Sequence, residues 1–255
     1  MKTQLRHAAL IVGALSLAVP AAHAAEVKVL TAGAFKQVVL ALVPNYERKT
    51  GNKVIVDNGT TGQLKKRIAD GESFDIVVIT PAVVDEMIAS GKVAAGSKIT
   101  LASVGIGVVV KEGAPKPDIG TVEKFKEALL KAKSVAYIDP KSGGSSGIYI
   151  DKLLEKLGIA EQIRPKAKLK KGGHVADLIV SGEAELGIHQ ISEIVPVKGA
   201  TLVGPLPKEI QNTTTYAAGM SASTKEKIAA KELIEYLSGT DAAVVLKSKG
   251  MDKAS

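Results

Sequence analysis

Residues 53–79 read KVIVDNGTTGQLKKRIADGESFDIVVI. KVIVD (53–57) and FDIVVIT (74–80) are β-branched runs, and a helical pattern covers Gly62–Asp70 between them. Strand, helix and strand in so short a span make a βαβ unit, whose strands lie parallel. At the first junction stands Gly59-Thr60-Thr61-Gly62. The first amides of a helix lack intrahelical acceptors and carry partial positive charge. Two hydroxyls bracketed by glycines therefore either cradle an anion there or simply cap the helix.

The same rhythm runs outward in both directions. Further strands are expected at EVKVLT (26–31), ITLASVGIGVVVK (99–111), SVAYID (134–139), AELGIH (184–189), ATLVG (200–204) and TTTYAAGMS (213–221). Helices are expected over Ala82–Ser90, Val122–Ala132, Ile148–Leu157, Val175–Val180 and Lys225–Leu237. Pro81 opens one helix and Gly158 follows another, where a missing N–H and a free φ are tolerated. Pro44, inside the apolar run from Phe35 to Tyr46, is expected to kink or divide its helix. The fold class is α/β. The two long runs, 99–111 and 213–221, read as two crossover segments joining two α/β lobes: 25–106 with 217–255 as lobe I, and 107–216 as lobe II. Paired crossings suit a hinge. Gly105 and Gly107 within the first crossing read as a bend.

Residues 1–24 have the form of a secretory signal peptide. Lys2 and Arg6 supply the basic start, Ala8–Val19 the apolar stretch, and Ala22-His23-Ala24 a small-residue cleavage site. Cleavage after Ala24 leaves 231 of the 255 residues, in a periplasmic protein. There is no cysteine, so neither disulfides nor thiolate chemistry is available. Of 34 basic residues two leave with the signal, so 32 face 26 acidic ones, and the net charge of +6 favours an anionic ligand. Five Tyr, three Phe and no Trp offer few stacking platforms, which argues against nucleic acid as a partner. A monomer is expected.

Three more strand-to-helix junctions are small or hydroxyl-rich: Thr31-Ala32-Gly33-Ala34, Pro140 to Gly147 (PKSGGSSG), and Gly172-Gly173-His174. Capping explains any one of them; recurrence at four junctions, two per lobe, points to a cleft lined by amides and hydroxyls that converge on one anion. No Walker A motif, no G-x-G-x-x-G opening a helix after the first strand, and no G-x-S-x-G elbow occurs, and no cofactor is expected. His174 and His189 alone remain after the signal is removed, and neither belongs to a metal-spaced cluster. His189 ends a strand, with Glu193 four positions on; it is either a satisfied strand-end histidine, a ligand donor, or a general base near neutral pH. Lys141, Lys170 and Lys171 flank the glycine loops and are candidates to face an anion, whereas Lys65, Lys66 and Arg67 read as a solvated face.

On these residues the chain resembles the periplasmic molybdate-binding protein family, the type II solute-binding fold that serves ABC importers. The matching stretches are LTAGAFKQVV, VIVDNGTTGQLKKRIADGESFDIVVITPAVVDEMIASGKV, IDPKSGGSSGIYIDKLLEKLGI and VADLIVSGEAELGIHQISEI. The resemblance implies a small polyanion, an oxyanion such as molybdate or a polycarboxylate, held between the lobes and delivered to an ABC importer membrane subunit. It places ligand contacts at Thr31, Ala32, Gly33, Thr60, Thr61, Lys141, Ser145, Ser146, Tyr149, His189 and Gln190. The family's proline in the third loop is serine here, and its closing tyrosine falls on His189. Those departures suit a wider polycarboxylate site. Aconitate isomerase is built on a similar chain, so the alternative function is interconversion of cis- and trans-aconitate by an allylic proton shift, with His189 as the catalytic residue.

Overall fold

The computed structural model describes residues 24–254; the signal-peptide expectation falls on residues 1–24 and, Ala24 apart, lies outside them. The chain opens with β1 (Glu26–Ala32), α1 (Gly33–Thr50), β2 (Lys53–Gly59), α2 (Thr61–Ala69), β3 (Ile76–Ile79) and α3 (Pro81–Ala89). It continues through β4 (Ile99–Lys111), α4 (Val122–Lys131), β5 (Val135–Ile138), α5 (Ser145–Lys156), α6 (Ala160–Ile163), β6 (Ala167–Lys170) and α7 (Ala176–Val180). It closes with β7 (Leu186–Gln190), α8 (Ile191–Ile194), β8 (Ala200–Pro205), β9 (Thr213–Met220), α9 (Lys227–Ser238), α10 (Thr240–Ser248) and β10 (Asp252–Lys253).

β1 pairs in parallel with β2 and β3, as the opening stretch requires, and β3 continues antiparallel to β9. In the other half β5 lies parallel to β6 and β7. β4 belongs to both halves: residues 99–105 pair with β9, and residues 106–111 with β7 and β8. Where β4 changes partner, the Gln211 side chain stands in for a neighbouring strand. It accepts from the Ile106 N–H and donates to the Ile106 carbonyl, both at 2.9 Å. A buried main-chain pair that leaves one ladder is thus satisfied before it joins the next.

Strand side chains alternate, and the alternation divides each core in two. Val29, Ile76, Val78 and Ala218 pack under α1, α9 and α10, while Leu30, Val77, Ile79 and Ala217 pack under α2 and α3. In the second lobe Val135, Tyr137 and Ile188 face α4 and α5, and Ala136, Ile138 and Val109 face α7. Helices on both faces of a mixed sheet leave the ends of the parallel strands, with their loops into helices, as the open edge of each lobe.

Pro44 does not divide its helix: α1 runs unbroken from Gly33 to Thr50. Its buried positions, Phe35, Val38, Val39, Leu42 and Tyr46, hold one face against the sheet. Pro44 and Leu40, whose carbonyl loses its partner, both lie on the exposed face, where water can replace the missing bond. The expected helix at Ile148 starts three residues earlier, at Ser145, so the serine pair belongs to its first turn.

Candidate functional site

The four strand-to-helix junctions meet around one cavity. It is lined by Ala32, Gly33 and Ala34 from the first junction, Asn58 to Thr61 from the second, Gly144 to Ser146 from the third, and Gly172 and Gly173 from the fourth. Ile138, His189, Gln190, Glu193 and Tyr216 complete the wall. It holds ≈ 370 Å³ of empty space that runs out to solvent.

Two of the helices that start here are uncapped. Neither Ala32, before α1, nor Gly144, before α5, supplies a side-chain acceptor to the first turn. The free amides of these 18- and 12-residue helices therefore stand ready for an acceptor from outside the chain. α2 differs: Thr60 accepts from the Gln63 N–H at 3.1 Å, and the Gln63 side chain accepts from the Thr60 N–H at 2.9 Å. This capping box uses Thr60 and leaves the neighbouring Thr61 to the cavity.

Three hydrogen bonds join the lips of the two lobes across the mouth. The Gly62 N–H donates to the Gly143 carbonyl at 3.2 Å, the Thr60 hydroxyl to the Ser142 carbonyl, and the Gln63 amide to the Lys171 carbonyl at 3.0 Å. A Cβ on Gly62 would stand 2.7 Å from the Gly143 Cα, so both backbones can approach only because neither residue has a side chain. The cavity floor is a polar network. The Gln190 amide donates to Ser145 at 3.0 Å and to the Tyr216 hydroxyl at 2.7 Å, and Thr214 approaches Ser145 at 3.4 Å.

His189 and Glu193 face each other in the wall, Nε2 to Oε2 at 3.3 Å, with side-chain exposures of 2% and 8%. Burial penalises both charges. Desolvation, followed by the nearby His174 and Lys170 charges, drives His189 down to about 3. Desolvation drives Glu193 up to about 8, against a smaller opposing pull from Lys36. Two neutral groups in contact describe this arrangement better than an ion pair. His189 Nδ1 is one of two buried side-chain polar atoms without a partner among the described residues; the other is Ser192 Oγ. The His174 Nδ1 lies 2.9 Å from the Glu193 carbonyl and pins the short helix α8. On the Glu193 flank, a Cβ on Gly33 would collide with the carboxyl oxygen.

Of the residues expected at a site, the structure brings Ala32, Gly33, Thr60, Thr61, Ser145, Ser146, His189 and Gln190 to the cavity. Three others lie elsewhere. Thr31 is fully buried beneath the wall with its hydroxyl on the Ala32 carbonyl. Lys141 is exposed, because the short 3₁₀ turn over Pro140–Ser142 carries it outward. The Tyr149 hydroxyl donates to the Ile210 carbonyl at 2.7 Å, one turn along α5 and away from the opening. Neither Lys170 nor Lys171 lines the cavity; Lys170 pairs with Asp177 at 2.8 Å. Lys65, Lys66 and Arg67 are paired with Glu86, with Asp70, and with Asp57 and Glu72. Glu193 and Tyr216 were not among the expected residues. The spacing of four from His189 was a signal for the first, and the position of Tyr216 in the second crossing strand a weaker one for the other.

Known proteins resemble the chain along nearly its whole length. Residues 27–252 match the family model described as bacterial extracellular solute-binding protein. An aconitate isomerase of Pseudomonas sp is 34% identical over 252 residues, covering 95% of each chain. The molybdate-binding protein ModA of Azotobacter vinelandii is 31% identical over 244 residues, 90% of this chain and 91% of that one. Among solved structures, the Azotobacter vinelandii periplasmic molybdate-binding protein superposes with a TM-score of 0.76 at 19% identity, covering 90% of this chain and 100% of that one. The sulfate-binding protein SubI from Mycobacterium tuberculosis reaches 0.71 at 17% identity, covering 89% and 86%. The architecture is the two-lobed type II binding-protein fold, and the chain belongs to the bacterial extracellular solute-binding protein family.

Proposed function

We propose that this protein is an exported isomerase for a small unsaturated polycarboxylate of the aconitate type, working in the cleft between its lobes. One observation carries the reading: a buried, neutral His189–Glu193 pair stands in the wall of a cavity otherwise made of amide and hydroxyl donors. A receptor for an anion needs only donors and has no use for a group that takes up and returns a proton. An allylic proton shift needs both an anion-holding shell and a group that takes and returns a proton. Likeness to the Pseudomonas aconitate isomerase over nearly the whole of both chains supports the same reading. The uncapped amides of α1 and α5, with Thr61 and Ser146, hold the substrate carboxylates, and export by the signal peptide places the reaction in the periplasm.

The test is a thermal-shift panel of molybdate, tungstate, sulfate, citrate and both aconitates, followed by proton NMR of each aconitate sample. A ligand at about a thousand times its Kd should add roughly 4 kcal/mol of stability. The expected result is stabilisation by aconitate together with interconversion of the vinyl signals. Stabilisation with unchanged vinyl signals sinks the isomerase.

A second reading is favoured by the donor shell itself, which among the described residues contains no Lys or Arg, and by likeness to molybdate-binding proteins. In it the protein is the anion receptor of an ABC importer. Closure is then selected by ligand contacts to both lobes, and protonated Glu193 serves as one more donor.

A further inference from the structure

Three titratable side chains line the cavity: His189, Glu193 and Tyr216. The Tyr216 hydroxyl lies within 2.7 and 3.0 Å of the two amide atoms of Gln190, and burial raises it further from ionisation. It is committed to the floor. His189 is turned so that its Nε2 meets a Glu193 oxygen. The Glu193 carboxyl, at the first turn of α8, stands against Gly33, where the uncapped amides of α1 begin. Its oxygens therefore stand beside the helix start where a substrate carboxylate would dock.

We propose that Glu193 is the catalytic acid–base that moves the proton between the two carbons of the bound unsaturated polycarboxylate, and that His189 is a positioning residue which orients its carboxyl. The inference rests on the isomerase reading above. The ionised Glu193 oxygen takes a proton from the substrate methylene. The electron pair of the broken C–H bond delocalises over the allylic system into the adjacent carboxylates. Glu193 then delivers a proton, the one it took or one exchanged with solvent, to the former vinyl carbon, and the double bond has moved by one position. The new double bond takes the geometry set by the torsion of the methylene arm when its proton leaves, so a single shift interconverts the cis and trans isomers. No proton, electron or co-reactant is gained or lost.

The surroundings divide the two candidates. A carboxyl raised to about 8 is a far better carbon base than an ordinary carboxylate, whereas an imidazole held near 3 has little hold on a proton. The groups acting on the pair are Lys36 on α1, which favours the Glu193 carboxylate, and Lys170 on β6 with His174, which disfavour a charged His189. Tyr216 on β9 faces Glu193 with a hydroxyl that burial keeps neutral.

The experiment compares the full-length mature protein with its Glu193→Gln and His189→Gln variants on trans-aconitate in D₂O, reading isomerisation and methylene deuteration by NMR and binding by thermal shift. Glu193→Gln should lose about a thousandfold in turnover while binding aconitate within about threefold of the unaltered protein. The kcat/KM of the unaltered protein should rise about tenfold per pH unit and level off near pH 8. His189→Gln should keep measurable turnover but displace that limb, an effect that simple loss of fold would not produce. Turnover in Glu193→Gln within about threefold of the unaltered protein, or a limb only near pH 6 to 7 where a histidine titrates, overturns the assignment and leaves the isomerase reading standing. The limb also decides the matter if Glu193→Gln fails to fold. Neither isomerisation nor deuteration in the unaltered protein overturns both.

Discussion

A histidine and a glutamate four residues apart are common; what distinguishes His189 and Glu193 is that both are almost wholly buried. The pair should leave its mark on stability as a function of pH. Between its folded value of about 3 and its ordinary 6.5, His189 is protonated only in the unfolded chain, so stability rises with pH across that window. Between its ordinary 4.5 and its folded value of about 8, Glu193 keeps its proton only in the folded protein, so stability falls with pH there. The two slopes cancel where the windows overlap, leaving a rise on the acid side and a fall from about pH 6.5 to 8. Each full slope is about 1.4 kcal/mol per pH unit. Urea midpoints from about pH 3 to 9, compared between variants, check this: Glu193→Gln should remove the alkaline fall and His189→Gln the acid rise. An alkaline fall that persists in Glu193→Gln would reject the shift assigned to it. The sequence placed His189 at the end of a strand with Glu193 beyond it, but pointed to the histidine as the proton carrier. Which of two neighbouring groups is basic depends on burial by residues from β1, α1 and β9, far away in the chain, and no local pattern reports that.

At the scale of elements, the junctions were legible because their chemistry is local. Glycines and hydroxyls at the end of one strand announce the start of one helix, and the four loops so marked are the four that meet. The elements that were missed have weak local signals: β10 has two residues and pairs with the middle of β4, and α10 follows α9 with only Gly239 between them. Pro44 was misjudged because its effect depends on which face of α1 turns to water, and that is settled by the sheet below. Thr60 carries a prediction at this scale. Its hydroxyl accepts the α2 capping bond and donates across the cleft to the Ser142 carbonyl. Thr60→Ala should cost about 1 kcal/mol through the lost cap, read as a lower urea midpoint, and should also weaken ligand binding. Thr60→Ser should recover both. A Ser variant as weak as the Ala variant would mean that the methyl group, not the hydroxyl, matters.

For the whole molecule, the governing fact is that at the lips of the cleft two glycines, Gly62 and Gly143, bring the backbones of the lobes into direct contact. With three hydrogen bonds joining the lips, a polycarboxylate enters only when they part. Gly62 and Gly143 then set how tightly they close again. Gly62→Ala separates the two effects. In the first turn of α2 alanine is the better helix former by roughly 0.5–1 kcal/mol, so the unliganded protein should be as stable as before or slightly more so. In the closed state its methyl group meets the Gly143 Cα, so ligand affinity should fall by about tenfold, the fraction by which the closed population drops. Calorimetric titration beside urea unfolding reads both numbers; equal affinity would show that closure does not depend on this contact. The same lips lend themselves to an optical use. The chain contains no cysteine, so Gln63→Cys and Lys171→Cys would create the two thiols of a labelled pair on opposite rims. A donor and acceptor dye attached there would turn each opening and closing of the cleft into a change of colour, one molecule at a time.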